Sequence, residues 1–334
     1  MRFDRCPAES GLPERWRWNV GSHTALVVPS AGMNLVSLAT AGRERLVLPL
    51  PLEEFMTTEK TGGVPLLHPW ANRLRGDRYV VGGRAVDLAT GPTLKRDGHG
   101  LPMHGLVLRG GPWSIRTTDS LAVGDPGSWA EIEGRLDWNE RRSDFEAFPF
   151  AHRLIVCWRL VSNSDFSVEA RCSYRVEAGG TPLSIGAGWH PYLRPAVGCT
   201  RDRIMLRVPP VRRVVLDSQG LPMRGEDGEL RREPETSPTG PLGERCFDDL
   251  FQSPSGGWCA AVEADGTRIE LEADARWRWM QIYAPEGSDY ACIEPMVAPT
   301  AGLSDGNAVT VGAGEVFEAC FTLRVGSLEG DPRG

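Results

Sequence analysis

Five separated segments set polar side chains of catalytic type among apolar residues and turns: HPWANRLRG near residue 70, LPMHGLVLRGGPW near 104, GWHPYL near 190, CFDDLF near 248 and ACIEPMVAP near 294. Their histidines and carboxylates suit proton transfer, because an imidazole can gain and lose a proton near neutral pH and a carboxylate can accept one. Each residue also has a plain structural reading: His104 before Gly105 as a turn histidine, His190 as a buried imidazole on a backbone carbonyl, Glu294 as a strand-end carboxylate paired with an arginine. Taken one at a time, such motifs favour the plain reading. A metal reading of His68, His99 and His104 is weaker still, because they lack HExxH spacing and no cysteine pair completes a ligand set.

Elements that could carry these groups read as strands. In FSVEARCSYRV, Phe166, Val168, Ala170, Cys172 and Tyr174 alternate with polar residues, and FEACFTLRV repeats the pattern with Phe317, Ala319, Phe321, Leu323 and Val325. HRLIVCWRLV, TRIELEA and WRWMQIYA also read as strands, and 39 glycines and 26 prolines punctuate the chain, so strand follows strand with few helix-length crossovers. The expected fold class is all-β, a large antiparallel β-sandwich. Residues 217–245 break the texture, being charged and rich in Pro and Gly. They read as a polar excursion within a single domain spanning 1–334, one that adds little to the core and is open to protease.

With 334 residues, 41% hydrophobic and 24% charged, the chain has the profile of a globular protein with a large core. A net charge of −7 with scattered arginines argues against a nucleic-acid partner. The opening MRFDRCPAESG has no apolar signal-like region and no apolar run approaches the ~18 residues of a membrane span. The expectation is a cytoplasmic protein with no membrane partner. Eight cysteines without CxxC spacing are expected as free thiols, with Cys157, Cys172 and Cys320 acting as small hydrophobes in strands. No residue pattern fixes the number of subunits.

In order along the chain, GVPLLHPWANRL, MHGLVLRGGPW, GWHPYL, LDSQGLP, FDDLF and IEPMVAP resemble the aldose 1-epimerase (galactose mutarotase-like) family, from about residue 20 to 326. The most specific parts are Ala71–Asn72–Arg73, His104–Gly105, His190–Pro191–Tyr192 and Glu294–Pro295. The resemblance implies a β-supersandwich, no metal or organic cofactor, an open cleft for a small-molecule aldose, and interconversion of α and β anomers, an isomerase reaction. It makes Glu294 the general base for the anomeric hydroxyl and His190 the acid for the ring oxygen. Arg73, His104 and Asn72 become substrate-binding residues, with Asp248, or Asp249 by a slip of one.

Acid and base chemistry alone suffices for that reaction. Opening a hemiacetal takes one proton from the C1 hydroxyl and gives one to the ring oxygen; after rotation about C1–C2 the roles reverse. A carboxylate beside His190 is expected to favour its charged form. Three alternatives stand. A sugar-phosphate (glucose-6-phosphate-type) 1-epimerase would use Arg73, Arg75, Arg109 and Arg194 as a phosphate clamp. A glycoside hydrolase would use Asp248 with Glu294 as its carboxylate pair. A non-catalytic carbohydrate-binding protein would keep the cleft alone. Trp70, Trp113, Trp189 and Trp279 could face a sugar, but large aromatics on strands are more often core.

Overall fold

The computed structural model describes residues 2–90, 94–120, 128–164 and 167–328, and Phe166 therefore lies outside the described residues. Period-two alternation builds the largest sheet, of nine strands. Its centre pairs His152–Ser164 with Ser167–Ala178, then Val316–Ser327, then Thr267–Ala273, all antiparallel. Val168, Ala170, Cys172, Tyr174 and Val176 are buried opposite Phe317, Ala319, Phe321, Leu323 and Val325, as the alternation requires. The outer face is a ladder of ion pairs such as Arg171 with Glu169 and Arg153 with Asp137. Exposed pairs of this kind contribute at most about 1 kcal/mol each, whereas a fully buried Val, Leu or Phe contributes roughly 1.5–3 kcal/mol, so the inner face holds the sheet.

A second sheet of eight strands carries the chemistry-bearing segments. Along it run Arg232–Thr236, Val211–Val214, Phe247–Gln252, Trp279–Ala284, Ala291–Met296, Gly188–Trp189 and Leu66–Leu67, with Tyr192–Leu193 also paired to Ala291–Met296. The two sheets meet through aromatic rings. Trp189 packs edge-on against Trp158 at 5.5 Å and Phe321 at 5.7 Å between centroids, both from the nine-stranded sheet. A five-stranded sheet begins at Phe3–Cys6 and adds Trp18, Val27 and Leu38 to the same core. No described helix is long and apolar enough to cross a membrane.

Three expectations need correction. Residues 217–245 are built into both large sheets. Arg232–Thr236 pairs with Val211–Val214, Gly240–Pro241 pairs with Met205–Arg207, and Leu221, Leu230 and Leu242 are buried. Its polar residues knit the segment internally: Asp217 accepts from the N–H groups of Gln219 and Leu221, and Arg245 donates to the carbonyls of Pro238, Gly240 and Pro241. Composition missed three leucines spaced about ten residues apart. Among the cysteines, Cys172 points into the core, but Cys320 is exposed, because in the same period-two pattern it occupies the outer phase. All eight are free. WRWMQIYA begins its strand at Trp279, two residues late, with Trp277 buried ahead of it.

Candidate active site

Strand register brings the acid and base candidates together. Gly188 is opposite Met296 and Tyr192 is opposite Cys292; continuing that register across the break at Pro191 sets His190 opposite Glu294. Pro191 has no N–H for the ladder and leaves two short strand pieces instead of one long one. His190 Nε2 lies 3.2 Å from Glu294 Oε1, and both residues are buried, at 5% and 2% exposure. Next along the sheet, Gln281 pairs with Glu294, and Tyr283 with Asp248. Period two then decides which aspartate shares their face: Asp248 lines the cleft and accepts a 2.7 Å hydrogen bond from Gln281, while Asp249 lies on the other side with Arg213 at 2.6 Å.

The opposite wall comes from residues 61–73 and 95–104. Together with the sheet face they enclose a cleft of about 300 Å³ lined by Thr61, Asn72, Arg73, Lys95, Met103, His104, His190, Tyr192, Asp248, Tyr283 and Glu294. All six residues singled out from the sequence, Asn72, Arg73, His104, His190, Asp248 and Glu294, are in this set. Asn72 and His104 both have left-handed backbones, φ 53° and 64°, and the His104 N–H donates to the Asn72 carbonyl at 2.9 Å. A non-glycine residue held there costs about 1–2 kcal/mol, so tertiary contacts must impose it. Gly105 shows how tight they are: at φ 70° a Cβ on it would lie 2.2 Å from the His68 carbonyl oxygen.

His68 belongs to the support beneath. The His152 Nδ1–H donates to the Phe150 carbonyl at 2.7 Å, which leaves His152 Nε2 to accept from His68 Nε2–H at 3.0 Å and His68 Nδ1 to accept from the Tyr174 hydroxyl at 2.8 Å. Burial keeps both imidazoles neutral, His68 well below its usual pKa and His152 down to about 4. His68 also uses its carbonyl to accept from the Leu106 N–H, beside His104. It is structural. His99 sits in the exposed Asp97–Leu101 turn, and the described residues contain no group of three or more potential metal ligands.

Arg73 is held from several sides. Its Nε–H donates to Asp97 at 2.6 Å, one Nη to Asn72 Oδ1 at 2.9 Å, and the other is 3.5 Å from Asp248. Gly220, at φ 73°, packs so closely that a Cβ would lie 2.9 Å from the guanidinium, so the excursion after residue 217 reaches the cleft. Burial works to raise the Asp97 carboxyl, but hydrogen bonds from Arg73, Leu101 and His99 hold it below the usual range and keep it ionised.

Around His190 the rings are ordered. Tyr192 stacks flat on it at 4.5 Å and 5°, and His104 meets it edge-on at 5.5 Å. Tyr192 is itself fixed by a 2.6 Å hydrogen bond between its hydroxyl and Thr61. Burial, then the charge of Lys95, brings His190 down to about 3; burial, then the Asp248 charge, raises Glu294 well above the usual carboxylate range against the opposing pull of Arg73. Desolvation therefore outweighs the attraction expected between the two groups, and burial favours the uncharged form of each, imidazole and carboxylic acid. A neutral pair holds the same number of protons as carboxylate with imidazolium. Moving one proton across the 3.2 Å contact converts one form into the other. Glu294 Oε2, His190 Nδ1 and His104 Nδ1 are buried without a protein partner. Buried polar atoms ordinarily have one, so this cluster suits a ligand rich in hydroxyl groups.

The arginine clamp is not built. Of its four arginines only Arg73 lines the cleft; Arg75 pairs with Asp305 at 2.7 Å, Arg194 with Asp289 at 3.0 Å, and Arg109 is spent on the carbonyls of Leu108, Phe55 and Lys60. None of the tryptophans considered lines it either; Trp70, Trp189 and Trp279 are buried. Sequence reasoning missed Thr61, Lys95, Met103, Tyr192 and Tyr283 as cleft residues, and Gln281 behind Asp248. Gln281 and Tyr283 had a signal, polar atoms at inward positions of an apolar strand. Lys95 had none.

The family model for aldose 1-epimerase matches residues 14–323. No curated protein matches the sequence. Among solved structures, a galactose mutarotase-like protein from Clostridium acetobutylicum is similar at 17% identity and TM-score 0.74, covering 98% of each chain. A galactose 1-epimerase from Lactobacillus acidophilus is similar at 14% identity and TM-score 0.72, covering 97% of this chain and 98% of that one. At these identities the structural likeness establishes a galactose mutarotase-like fold, and with a family model matched over nearly the whole length, the chain belongs to the aldose 1-epimerase family.

Proposed function

We propose that the protein is an aldose 1-epimerase, a mutarotase that interconverts the α and β anomers of an aldose by opening and reclosing the ring. One observation carries this reading: the buried His190–Glu294 contact of 3.2 Å at the cleft, which sets an imidazole and a carboxyl group of opposite task side by side. In its charged form Glu294 takes the proton of the C1 hydroxyl and His190 gives one to the ring oxygen. The ring C–O bond breaks to an open-chain aldehyde. Rotation about C1–C2 presents the other face of the carbonyl. Reclosure runs the same transfers backwards and returns the pair to its starting proton count. Arg73, Asp248, Asn72 and His104 hold hydroxyl and ring oxygens, and each is fixed before the sugar arrives, which limits the ordering cost of binding.

A non-catalytic binding role is disfavoured by the intact acid and base side chains, and a hydrolase role by Asp248, which is held by Gln281 and Arg73 and so suits substrate binding. Anomer exchange measured by saturation-transfer NMR on glucose, galactose and other aldoses tests the proposal. Exchange no faster than the buffer-catalysed rate for every aldose refutes it.

A further inference from the structure

Lys95 is the cleft residue whose charge the mechanism leaves unused. We propose that Lys95 is a substrate ligand that recognises a carboxylate carried by the aldose, so that the preferred substrate is a sugar acid of the hexuronate type. This rests on the mutarotase reading above and names its substrate class.

Lys95 is half-buried and lines the same cleft as His104, His190 and Glu294. Its ammonium donates to the Glu59 carbonyl at 2.8 Å, which anchors it at the wall and leaves donors for a ligand. No carboxylate of the described residues forms an ion pair with it, whereas Arg73 in the same cleft has Asp97 at 2.6 Å and Asp248 at 3.5 Å. Burial of the Lys95 charge outweighs the attraction of the nearby Glu59 carboxylate, and a neutral hexose would leave it so. A carboxylate would compensate it one for one. A phosphate dianion calls for a second free cation, and Arg75, Arg109 and Arg194 are committed elsewhere.

Occupation of Lys95 also bears on the proton pair. Its charge opposes protonation of both His104 and His190. A carboxylate seated on it removes that opposition and favours the imidazolium–carboxylate form, so that binding of the acidic sugar and arming of His190 are coupled.

Matched sugars provide the test: glucose against glucuronate, galactose against galacturonate, and glucose 6-phosphate, with binding by calorimetry at low and high salt and exchange by NMR, on wild type, Lys95→Met and Lys95→Arg. Wild type should bind each hexuronate about tenfold or more tighter than its hexose, as a charge-assisted hydrogen bond allows, and high salt should shrink the gap. Lys95→Met should bring the ratio to about one, whatever its effect on the hexose alone, and Lys95→Arg should keep part of it. Equal wild-type affinity for hexose and hexuronate, a ratio unchanged in Lys95→Met, or preference for glucose 6-phosphate over glucuronate would each overturn the assignment. Salt dependence on wild type keeps the test decisive if a variant misfolds. Binding and exchange separate the two claims: hexuronate binding without exchange of any aldose refutes the mutarotase and leaves Lys95 a ligand, while exchange without a hexuronate preference does the reverse.

Discussion

Protonation of His190 is where burial and mechanism meet, and it can be measured directly. A free imidazole titrates near 6.5; in this site burial and Lys95 bring His190 down to about 3. The difference of about 3.5 units, at 1.36 kcal/mol each, makes imidazolium beside a protonated Glu294 roughly 5 kcal/mol less favourable than in water. The sign follows: a second proton joins the pair only as pH falls toward about 3, and the single shared proton is lost only as pH rises through the raised pKa of Glu294. Nitrogen-15 NMR of labelled histidine should show a neutral His190 at pH 7 and still at pH 5.5. Glu294→Gln and His190→Asn should each lower kcat by roughly 10²–10⁴, the usual worth of one positioned acid or base, with sugar affinity within an order of magnitude. Because the two share one proton path, the double variant should lose little more than the worse single one. An imidazole resonance of His190 titrating near 6.5 would refute the neutral resting pair. Near-normal turnover in Glu294→Gln would refute the base, and multiplying losses in the double variant would refute the relay.

Three further outcomes follow. Arg73→Lys and Asp248→Asn should raise KM at least as much as they lower kcat in steady-state exchange assays, because hydroxyl contacts exist in ground and transition states alike. Residues 217–245, with their buried leucines and sheet pairing, should survive limited proteolysis as long as the strands flanking them; early cleavage there would show the segment undocked. The His152 site should cost stability in acid. Its folded pKa of about 4 lies below the unfolded 6.5, so the unfolded chain takes up the proton first and stability falls between those values by about 3 kcal/mol, read as the shift of urea midpoints between pH 7 and 4. A pH slope unchanged in His152→Gln would contradict it.

How much of this was legible beforehand depends on whether a residue announces its own phase. Alternation around Tyr174 and Phe321 assigns inner and outer faces by itself, and the antiparallel sandwich follows because neighbouring strands carry the same period. Asp248 and Asp249 show the limit. Both lie in FDDLF, and period two says they oppose each other, but not which one faces the cleft until the pairing with Tyr283 and Ile282 is known. For the excursion, local composition misled: Pro, Gly and charge describe its turns correctly, while the burial of Leu221, Leu230 and Leu242 depends on sheets formed from distant chain. The neutral state of His190 was hidden for a different reason, since a neighbouring carboxylate and full burial push the imidazole in opposite directions and only the degree of burial decides.

That degree of burial is set by the same strand that supplies the base. Along Ala291–Met296 every residue is buried, and alternation sends Ile293 into the main core while Glu294 turns toward His190. A carboxylate in that position cannot be solvated from either end of its strand, so its pKa is raised by the packing that makes the strand stable. The partner imidazole is trapped likewise between Tyr192 stacked on its face and His104 at its edge. A pair built to be ionic at rest would have to recover the desolvation of two charges from one contact of 3.2 Å, which buried ion pairs seldom do. Holding the proton in a neutral pair avoids that cost, and a polar ligand entering the cleft then supplies the oxygens that make the charged form accessible. The charged acid and base are thus strong but scarce until a substrate is present, which suits a reaction in which each must reverse its role within one turnover.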